Sequence, residues 1–206
     1  MPEIGLFPLE LVLLPSERVP LHIFEERYRE LVGESLADGV EFGLILEDDD
    51  GLRQVGTRTG VIELVHTFDD GRMNVLVEGR ERFRIVTETE GRSYRTAEVE
   101  LLEDDAGEEP TDEETERTLE AFRRLAAIAE ADEVDVPSAV GGTPLSFQVA
   151  ARVDFGTVLK QELLELRSER ARLDRLIDLL AQAAMALARE REVRERASGN
   201  GKVTRD

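Results

Sequence analysis

What the sequence lacks limits the chemistry that it can perform. Its 206 residues include no cysteine and no tryptophan, and the only lysines are Lys160 and Lys202. The absence of cysteine excludes disulfides, thiolate nucleophiles and cysteine-ligated zinc within this sequence. Acidic residues outnumber basic ones by 46 to 26, which gives a formal net charge of −20. We therefore expect neither nucleic acid nor an anionic membrane as a partner, because such a chain repels phosphate groups.

Long apolar runs are also missing. The first stretch, "MPEIGLFPLELVLLP", has no basic leader and carries acids within its apolar run. Nowhere do about 18 apolar residues follow one another, as a membrane-spanning helix would require. We therefore expect a cytoplasmic protein. Apolar residues still make up 41% of the chain, which is enough for the core of a domain of this length.

Hydrophobic periodicity predicts a β-rich first part. In residues 4–15 apolar residues alternate and prolines interrupt any helix, which indicates extended structure. Residues 23–38 change to the spacing of an amphipathic helix. Short segments separated by tight turns then predict an antiparallel barrel or sandwich, with strands over residues 42–47, 60–68, 73–79, 82–88 and 94–102.

The composition changes after residue 102. Residues 103–116 hold many acids and no base, which predicts a solvated linker, although Thr111 and Glu114 have the spacing of a helix capping box. The rest of the chain has helical periodicity, and its last helix is predicted to start at Ser168. We therefore predict a β subdomain over residues 1–102, an acidic linker over residues 103–116 and a helical bundle over residues 117–206.

The two histidines do not form a recognisable metal site. His22 stands near Glu25 and Glu26, but the second histidine that a zinc-binding "HExxH" helix requires is absent. His66 alternates with Leu64 and Phe68, which predicts an interior or edge position in a strand.

Other short motifs fail on spacing. "DDDG" (48–51) lacks the calcium-loop positions, "DFG" (154–156) has no accompanying kinase loops, and "GNGKVT" (199–204) lacks the first glycine and the serine or threonine of a phosphate loop. We predict no catalytic residue, no metal, no cofactor and no enzymatic activity.

Three stretches together resemble the N-terminal substrate-binding domain of Lon proteases. That family opens with Phe-Pro-Leu, an apolar stretch ending in proline, Pro-Leu-x-Ile-Phe-Glu and Arg-Tyr, all of which occur within residues 6–32. Its second signature, Val-Gly-Thr followed by a hairpin and Leu-Val-x-Gly-x-x-Arg-Phe-Arg-Ile, matches residues 55–85. Residues 159–180 are similar to the family's helical tail.

The resemblance implies an α+β fold. Its first part is a six-stranded antiparallel pseudobarrel with one helix, of the PUA-like kind also seen in the Lon-like domain of cereblon. A helical bundle that ends in a long helix follows. The resemblance also implies a non-enzymatic module that binds unfolded or damaged polypeptides and presents them to a protease or ATPase partner. Lon continues into ATPase and protease domains, whereas this sequence ends at Asp206, so we expect a stand-alone form.

Two other functions stay open at this stage. One is a small-molecule or peptide pocket on a Lon-like barrel, by analogy with cereblon. The other is a hydrolase with an unrecognised site. Exposed apolar residues would favour polypeptide binding, whereas one deep pocket with convergent polar groups would favour a small ligand.

The resemblance gives the residues around the first helix architectural roles. Phe24, Tyr28 and Leu31 are expected to pack on the barrel. Glu25 and Arg27 are candidates for structural ion pairs with polar groups of the barrel.

A third ion-pair candidate lies in a predicted strand. Phe83 and Ile85 share one strand face, so Arg82 points the other way. We predict that Arg82 is partly covered and pairs with a carboxylate, for which Glu25 is the candidate.

Overall fold

The computed structural model of the chain describes residues 2–107, 109–130, 135–138 and 142–199. Within these residues a β-rich part is followed by a helical part. The strands are β1 (Glu3–Leu9), β2 (Arg18–Ile23), β3 (Phe42–Asp48), β4 (Gly51–Leu52), β5 (Val55–Thr67), β6 (Met73–Thr89) and β7 (Thr96–Leu101). The helices are α1 (Glu26–Asp38), α2 (Asp112–Ile128), α3 (Leu145–Ala150), α4 (Gly156–Glu165) and α5 (Glu169–Gly199).

The strands close into a barrel. The sheet runs in the order β1–β7–β6–β5–β3, and β1 also pairs with β3 and so closes the ring. The described strand pairs are antiparallel except for β1 with β3, where a parallel register places Leu6 beside Gly43. The predicted α+β class is therefore confirmed, including the final long helix, and the parallel closing pair is a feature that the sequence did not indicate.

β6 is a single strand of 17 residues where the sequence predicted two. Gly79 lies at the expected break, where its amide donates to the Glu17 carbonyl and its carbonyl accepts from the Ser16 amide. A Cβ at Gly79 would lie only 2.2 Å from the Leu14 carbonyl oxygen. The glycine thus permits a close backbone approach beside an unbroken strand, rather than a turn.

Three strand segments extend beyond the ring as a ribbon, which consists of β2, residues 73–78 of β6 and residues 60–67 of β5. The β6 segment lies in the centre and pairs with both others. Register shifts in β5, between Val61 and Glu63 and between Leu64 and His66, mark two β-bulges. Because each bulge adds one residue, the strict alternation that the sequence suggested for this strand is interrupted.

Helix α1 packs on the barrel through Tyr28, Leu31 and Val32, which are buried. The helix begins at Glu26, because Glu25 still has extended backbone angles. Phe24 therefore precedes the helix and lies outside its apolar stripe, and its side chain is 61% exposed. The expectation that Phe24 packs on the barrel is wrong, because the helical periodicity was extended back to Phe24 although the helix begins at Glu26.

The two parts of the chain share an apolar core. Leu14, Leu46 and Val55 from the β-rich part belong to the same buried cluster as Phe122 of α2 and Leu176 of α5. Each Å2 of apolar surface removed from water contributes about 25 cal/mol of stability. The shared cluster therefore contributes strongly to holding the helices against the barrel.

Parts of the predicted acidic linker are held by specific contacts. The Asp105 amide donates to the Arg167 carbonyl at 2.8 Å. Thr111 and Glu114 form the capping box that their spacing suggested, so α2 begins at Asp112, inside the segment assigned to the linker. The division into two subdomains stays a prediction.

Candidate functional site

The outer face of the ribbon carries a row of polar rings. Asn74 of β6 lies directly opposite His22 of β2 and His66 of β5. Directly opposed residues of antiparallel strands point to the same face, so the three side chains lie side by side. The Nδ1 atom of His22 is 2.6 Å from Oδ1 of Asn74. Both histidines are exposed, so His66 occupies an outer strand position.

Two phenylalanines extend this row into an aromatic surface at the end of the ribbon. The ring centroids of His66 and Phe68 are 4.5 Å apart, those of His22 and Phe68 are 5.8 Å apart, and those of His22 and Phe24 are 6.1 Å apart. These separations fall in the range of favourable ring contacts. We call His22, Phe24, His66 and Phe68 the tip cluster.

The local sequence explains why the tip cluster faces solvent. The turn after β5 is closed by two hydrogen bonds, from the Phe68 amide to the Arg72 carbonyl and from the Gly71 amide to the Phe68 carbonyl. Gly71 has a φ of 82°, which a residue with a side chain rarely adopts. The tight turn holds Phe68 at the end of the ribbon, where the rings of His22 and His66 and the Arg72 guanidinium lie against it.

Two exposed apolar residues of β5 precede the tip cluster in the sequence. Leu64 and Val65 are both exposed. Leu64 lies opposite Val75 and so points to the other ribbon face from Asn74 and His66, whereas the bulge takes Val65, which adjoins His66, out of regular alternation. Single exposed apolar residues are ordinary, but Val65 beside the exposed rings of the tip cluster marks a contact surface.

Charged groups surround the tip cluster, and carboxylates outnumber guanidinium groups among them. The Asp70 carboxylate accepts from the Arg72 amide at 3.1 Å and from Arg72 Nε at 2.7 Å. The backbone bond is the main reason why the pKa of Asp70 lies below its ordinary value. Arg29 Nη1 donates to the Asp70 carbonyl at 2.9 Å and so joins α1 to the turn.

Two of the ion-pair candidates from the sequence pair with each other. Arg27 lies 2.8 Å from the Glu25 carboxylate, and both side chains are well exposed. The Arg27 guanidinium also sits 4.5 Å from the centroid of the Tyr28 ring. Neither contact reaches the barrel strands, so these residues organise the start of α1.

Arg82 has a different partner from the one expected. It is only 5% exposed and pairs with Asp104 at 2.5 Å, whereas Glu25 pairs with Arg27. Its Nη1 atom also donates to the carbonyls of Leu164 and Leu166, at 2.8 and 2.7 Å. The suggested Glu25 partner was therefore wrong, because Glu25 pairs within its own segment while Asp104 reaches Arg82.

Asp104 is shared between two buried arginines. Arg172 of α5 is fully buried and binds both Asp104 oxygens, and its Nη2 atom lies 2.8 Å from Glu169. We call Arg82, Asp104, Glu169 and Arg172 the arginine clasp. Sequence analysis did not identify Arg172, because its partner Asp104 is 68 residues away.

Aromatic and electrostatic contacts stabilise the arginine clasp. The Phe147 ring lies 5.1 Å from the Arg82 guanidinium and 4.4 Å from that of Arg172. Burial alone would raise the pKa of Asp104, but hydrogen bonds and positive charge from Arg172 and Arg82 hold it below its ordinary value. Burial lowers the pKa of Arg82, and the charge of Arg172 acts in the same direction.

A cavity of about 520 Å3 opens beside the arginine clasp, between Gly79, Leu102, Thr143 and Phe147. The guanidinium groups of the clasp already bond to protein oxygens, so the clasp joins β6 to the helices rather than offering free donors to a ligand. Within the described part of the chain, no cluster of three or more histidine or acidic side chains is arranged to hold a metal ion. None of the helices in the described part of the chain combines the length and the hydrophobicity that a membrane-spanning segment requires.

Comparison with known sequences agrees with this architecture. The family model for the ATP-dependent protease La (LON) substrate-binding domain matches residues 3–182. The Lon protease of Paraburkholderia phytofirmans is 25% identical over 206 residues, which cover 91% of this chain and 25% of that protein. Lon protease 1 of Bacillus subtilis is 26% identical over 153 residues, which cover 72% of this chain and 20% of that protein. The chain thus spans about a quarter or less of the length of these relatives.

Solved structures share the fold. The Lon N-terminal domain protein from Xanthomonas campestris aligns with a TM-score of 0.66 at 24% identity, covering 86% of this chain and 98% of that one. The N-terminal domain of the Mycobacterium avium complex Lon protease aligns with a TM-score of 0.66 at 19% identity, covering 87% of this chain and 98% of that one. Together with the family match over residues 3–182, these findings show that the chain belongs to the Lon substrate-binding domain family.

Proposed function

We propose that this protein is a non-enzymatic module that binds unfolded or damaged polypeptides through the tip cluster and the exposed Val65 beside it. The observation that carries the proposal is Phe24, which has the highest exposed fraction of any described phenylalanine and stacks on an exposed histidine ring. Family membership supports substrate binding in general, and the exposed aromatic surface supplies a place for it.

The physical basis is the apolar area that binding would remove from water. Burying a phenylalanine side chain contributes about 1.5–3 kcal/mol. Unfolded chains differ from folded ones in exposing apolar side chains, so a surface of exposed rings distinguishes the two. Exposed aromatic side chains such as Phe24 are also effective anchors, because few rotatable bonds have to be fixed when they bind.

Contact through side chains fits the ribbon better than addition of a client strand. β2 contains Pro20, which has no amide to donate, and β5 carries two bulges. Prolines and bulges protect sheet edges against pairing with another chain. The tip cluster, in contrast, lies on the open outer face of the ribbon.

We further propose that captured polypeptides pass to a protease or ATPase partner in the cytoplasm. The support is that the relatives are named Lon proteases and that this chain aligns with about a quarter or less of their length. The aligned part is the family's substrate-binding domain.

The proposal is tested by measuring the affinity of the chain for an unfolded protein. A suitable client is lysozyme that has been reduced and alkylated with iodoacetamide, followed by fluorescence anisotropy. We expect the double variant Phe24→Ser/Phe68→Ser to bind it at least tenfold more weakly. The matched control is Val86→Ser, an exposed apolar residue of β6 outside the ribbon, which should bind as the parent does. Equal loss in both variants, or no loss in either, would contradict the proposal.

A further inference from the structure

We propose that the tip cluster selects polypeptide segments in which apolar residues stand beside arginine or lysine. This inference rests on the proposed function and names the class of client. Its basis is the charge around the tip cluster and the way in which the cluster already holds a guanidinium group of its own chain.

The first observation is an excess of negative charge. The acidic residues next to the cluster in the ribbon, the turn and the start of α1 are Glu25, Glu26, Glu63, Asp69 and Asp70, and the basic ones are Arg27, Arg29 and Arg72. Within the described part of the chain, Glu26, Glu63 and Asp69 have no ion-pair partner, and all three are exposed. Their charge is therefore available to an incoming segment.

The placement of these acids matches the aromatic surface. Glu63 lies opposite Leu76, on the ribbon face that also carries Asn74 and the histidines. Asp69 follows Phe68 directly, and Glu26 stands two residues after Phe24. An apolar side chain seated on the cluster would thus bring its own neighbours in sequence towards these carboxylates.

The second observation is Arg72, which shows how the surface takes a cation. Its guanidinium lies 5.1 Å from the centroid of the Phe68 ring while its Nε atom bonds to Asp70. An aromatic face next to a carboxylate is a favourable place for a guanidinium group, by combined cation–π and ionic attraction. Phe24, which is more exposed and lies near Glu26, offers the same combination to a basic residue of a client.

The third observation is that the cations nearby are already engaged. Arg27 pairs with Glu25, Arg29 donates to the Asp70 carbonyl, and Arg72 pairs with Asp70. Among these charged groups of the described chain, three carboxylates but only one guanidinium group, that of Arg29, lack an ion-pair partner, so an acidic segment would meet an excess of unpaired negative charge. The net charge of −20 adds a long-range field of the same sign.

The size of the effect follows from surface electrostatics. One exposed ion pair changes an affinity by about 1.4- to 5-fold. Contacts to three unpaired acids therefore predict a preference of roughly tenfold for a basic over a neutral segment at low salt. Added salt should reduce it, since the screening length falls to about 3 Å at 1 M.

The test uses the full chain and three unlabelled peptides in isothermal titration calorimetry. All three carry the same phenylalanine, leucine and valine residues, and three intervening positions hold arginine, glutamine or glutamate. We expect the arginine peptide to bind roughly tenfold more tightly than the glutamine peptide, and the glutamate peptide to bind most weakly. At 0.5 M sodium chloride the arginine and glutamine peptides should approach equal affinity.

A triple variant locates the effect. Glu26→Gln/Glu63→Gln/Asp69→Asn should remove most of the preference for the arginine peptide while leaving the affinity for the glutamine peptide within twofold. The control Glu88→Gln/Glu90→Gln/Glu100→Gln changes three exposed acids outside the ribbon by the same total charge and should retain the preference.

The outcomes separate the two proposals. Equal binding of all three peptides at low salt overturns the charge preference and leaves polypeptide binding standing. Equal loss of preference in both triple variants overturns the assignment to the tip cluster. Failure of every peptide to bind, together with failure to bind unfolded lysozyme, overturns the proposed function itself.

Discussion

The end of the ribbon and the junction between barrel and helices differ in how they expose side chains to solvent. The tip cluster leaves Phe24 in water, whereas the arginine clasp removes Arg82 and Arg172 from it. In the clasp the cost of taking the two guanidinium groups out of water is offset by Asp104, backbone carbonyls and the Phe147 ring. At the tip nothing in the described chain covers the Phe24 ring to a comparable extent. An aromatic ring left exposed to water therefore indicates a binding surface, whereas buried charges with protein partners indicate a structural role.

The largest effect is expected from Asp104→Ala, which breaks the clasp at its centre. Two buried guanidinium groups would then face each other without a shared carboxylate, and removing one partner of a buried ion pair costs about 3–5 kcal/mol. Urea unfolding followed by circular dichroism measures the loss. The neighbouring Asp105→Ala removes an exposed partner of Arg167 and should cost less than about 1 kcal/mol. Similar small losses in both variants would mean that the clasp does not stabilise the fold.

A smaller effect is expected from Arg82→Ala. Asp104 keeps Arg172 in this variant, and the Leu166 carbonyl keeps the Arg172 Nη1 donor, so fewer groups lose their partner. Removal of buried hydrogen bonds to a charged group suggests a loss of about 1.5–3 kcal/mol in the free energy of unfolding. If Arg82→Ala equalled Asp104→Ala in effect, the two arginines would act as one inseparable unit.

Acid should weaken the clasp in a defined direction. The pKa of Asp104 in the folded chain lies below its ordinary value of 3.8. Its ionised form therefore stabilises the fold at all pH values above the ordinary pKa, and this contribution is lost as the pH falls through the lowered one. Urea midpoints from neutral pH downwards should fall more steeply below about pH 4 in the parent than in Asp104→Asn. Parallel curves for the two proteins would show that Asp104 does not contribute to acid sensitivity.

The smallest effect on stability is expected at the tip. Phe24→Ala should change the free energy of unfolding by no more than about 0.5 kcal/mol, because the ring packs on little of the core. The same substitution at Phe147, which is buried beside both guanidinium groups of the clasp, should cost about 3–5 kcal/mol. Thermal unfolding of both variants compares the regions directly. A large loss for Phe24→Ala would make Phe24 a structural residue and remove the main support for the proposed binding surface.

Several features of the fold were predictable because they depend on neighbours in sequence. The capping box of Thr111 and Glu114 joins residues three apart, and Ser168 stands at the predicted start of α5, where its side chain accepts from the Ala171 amide. The stripe of Tyr28, Leu31 and Val32 repeats with the helical period and is buried as expected. In each case the interaction is complete within one or two turns of backbone.

Predictions failed where a distant partner decides the outcome. The sequence marked Arg82 as a paired residue, but Glu25 was chosen from the nearby motif, whereas the structure brings in Asp104. Gly79 suggested a break between two strands, yet the approach of Leu14 accounts for it. For His66 the alternation left an interior and an edge position open, and the structure places it exposed in β5, which is an edge strand of the ribbon.

By itself the sequence determined the order of β-rich and helical parts, the main helices, the acidic character and the family, because periodicity, capping and motif spacing are local properties. Only the tertiary structure decided which residues pack inside the fold and which stay exposed and available to a binding partner. Phe24 and Arg82 both lie in the segments that resemble the family, but one ends in solvent and the other under the helices. The reason is that exposure depends on what packs against a residue, and the carbonyls of Leu164 and Leu166 that bind Arg82 lie more than 80 residues farther along the chain.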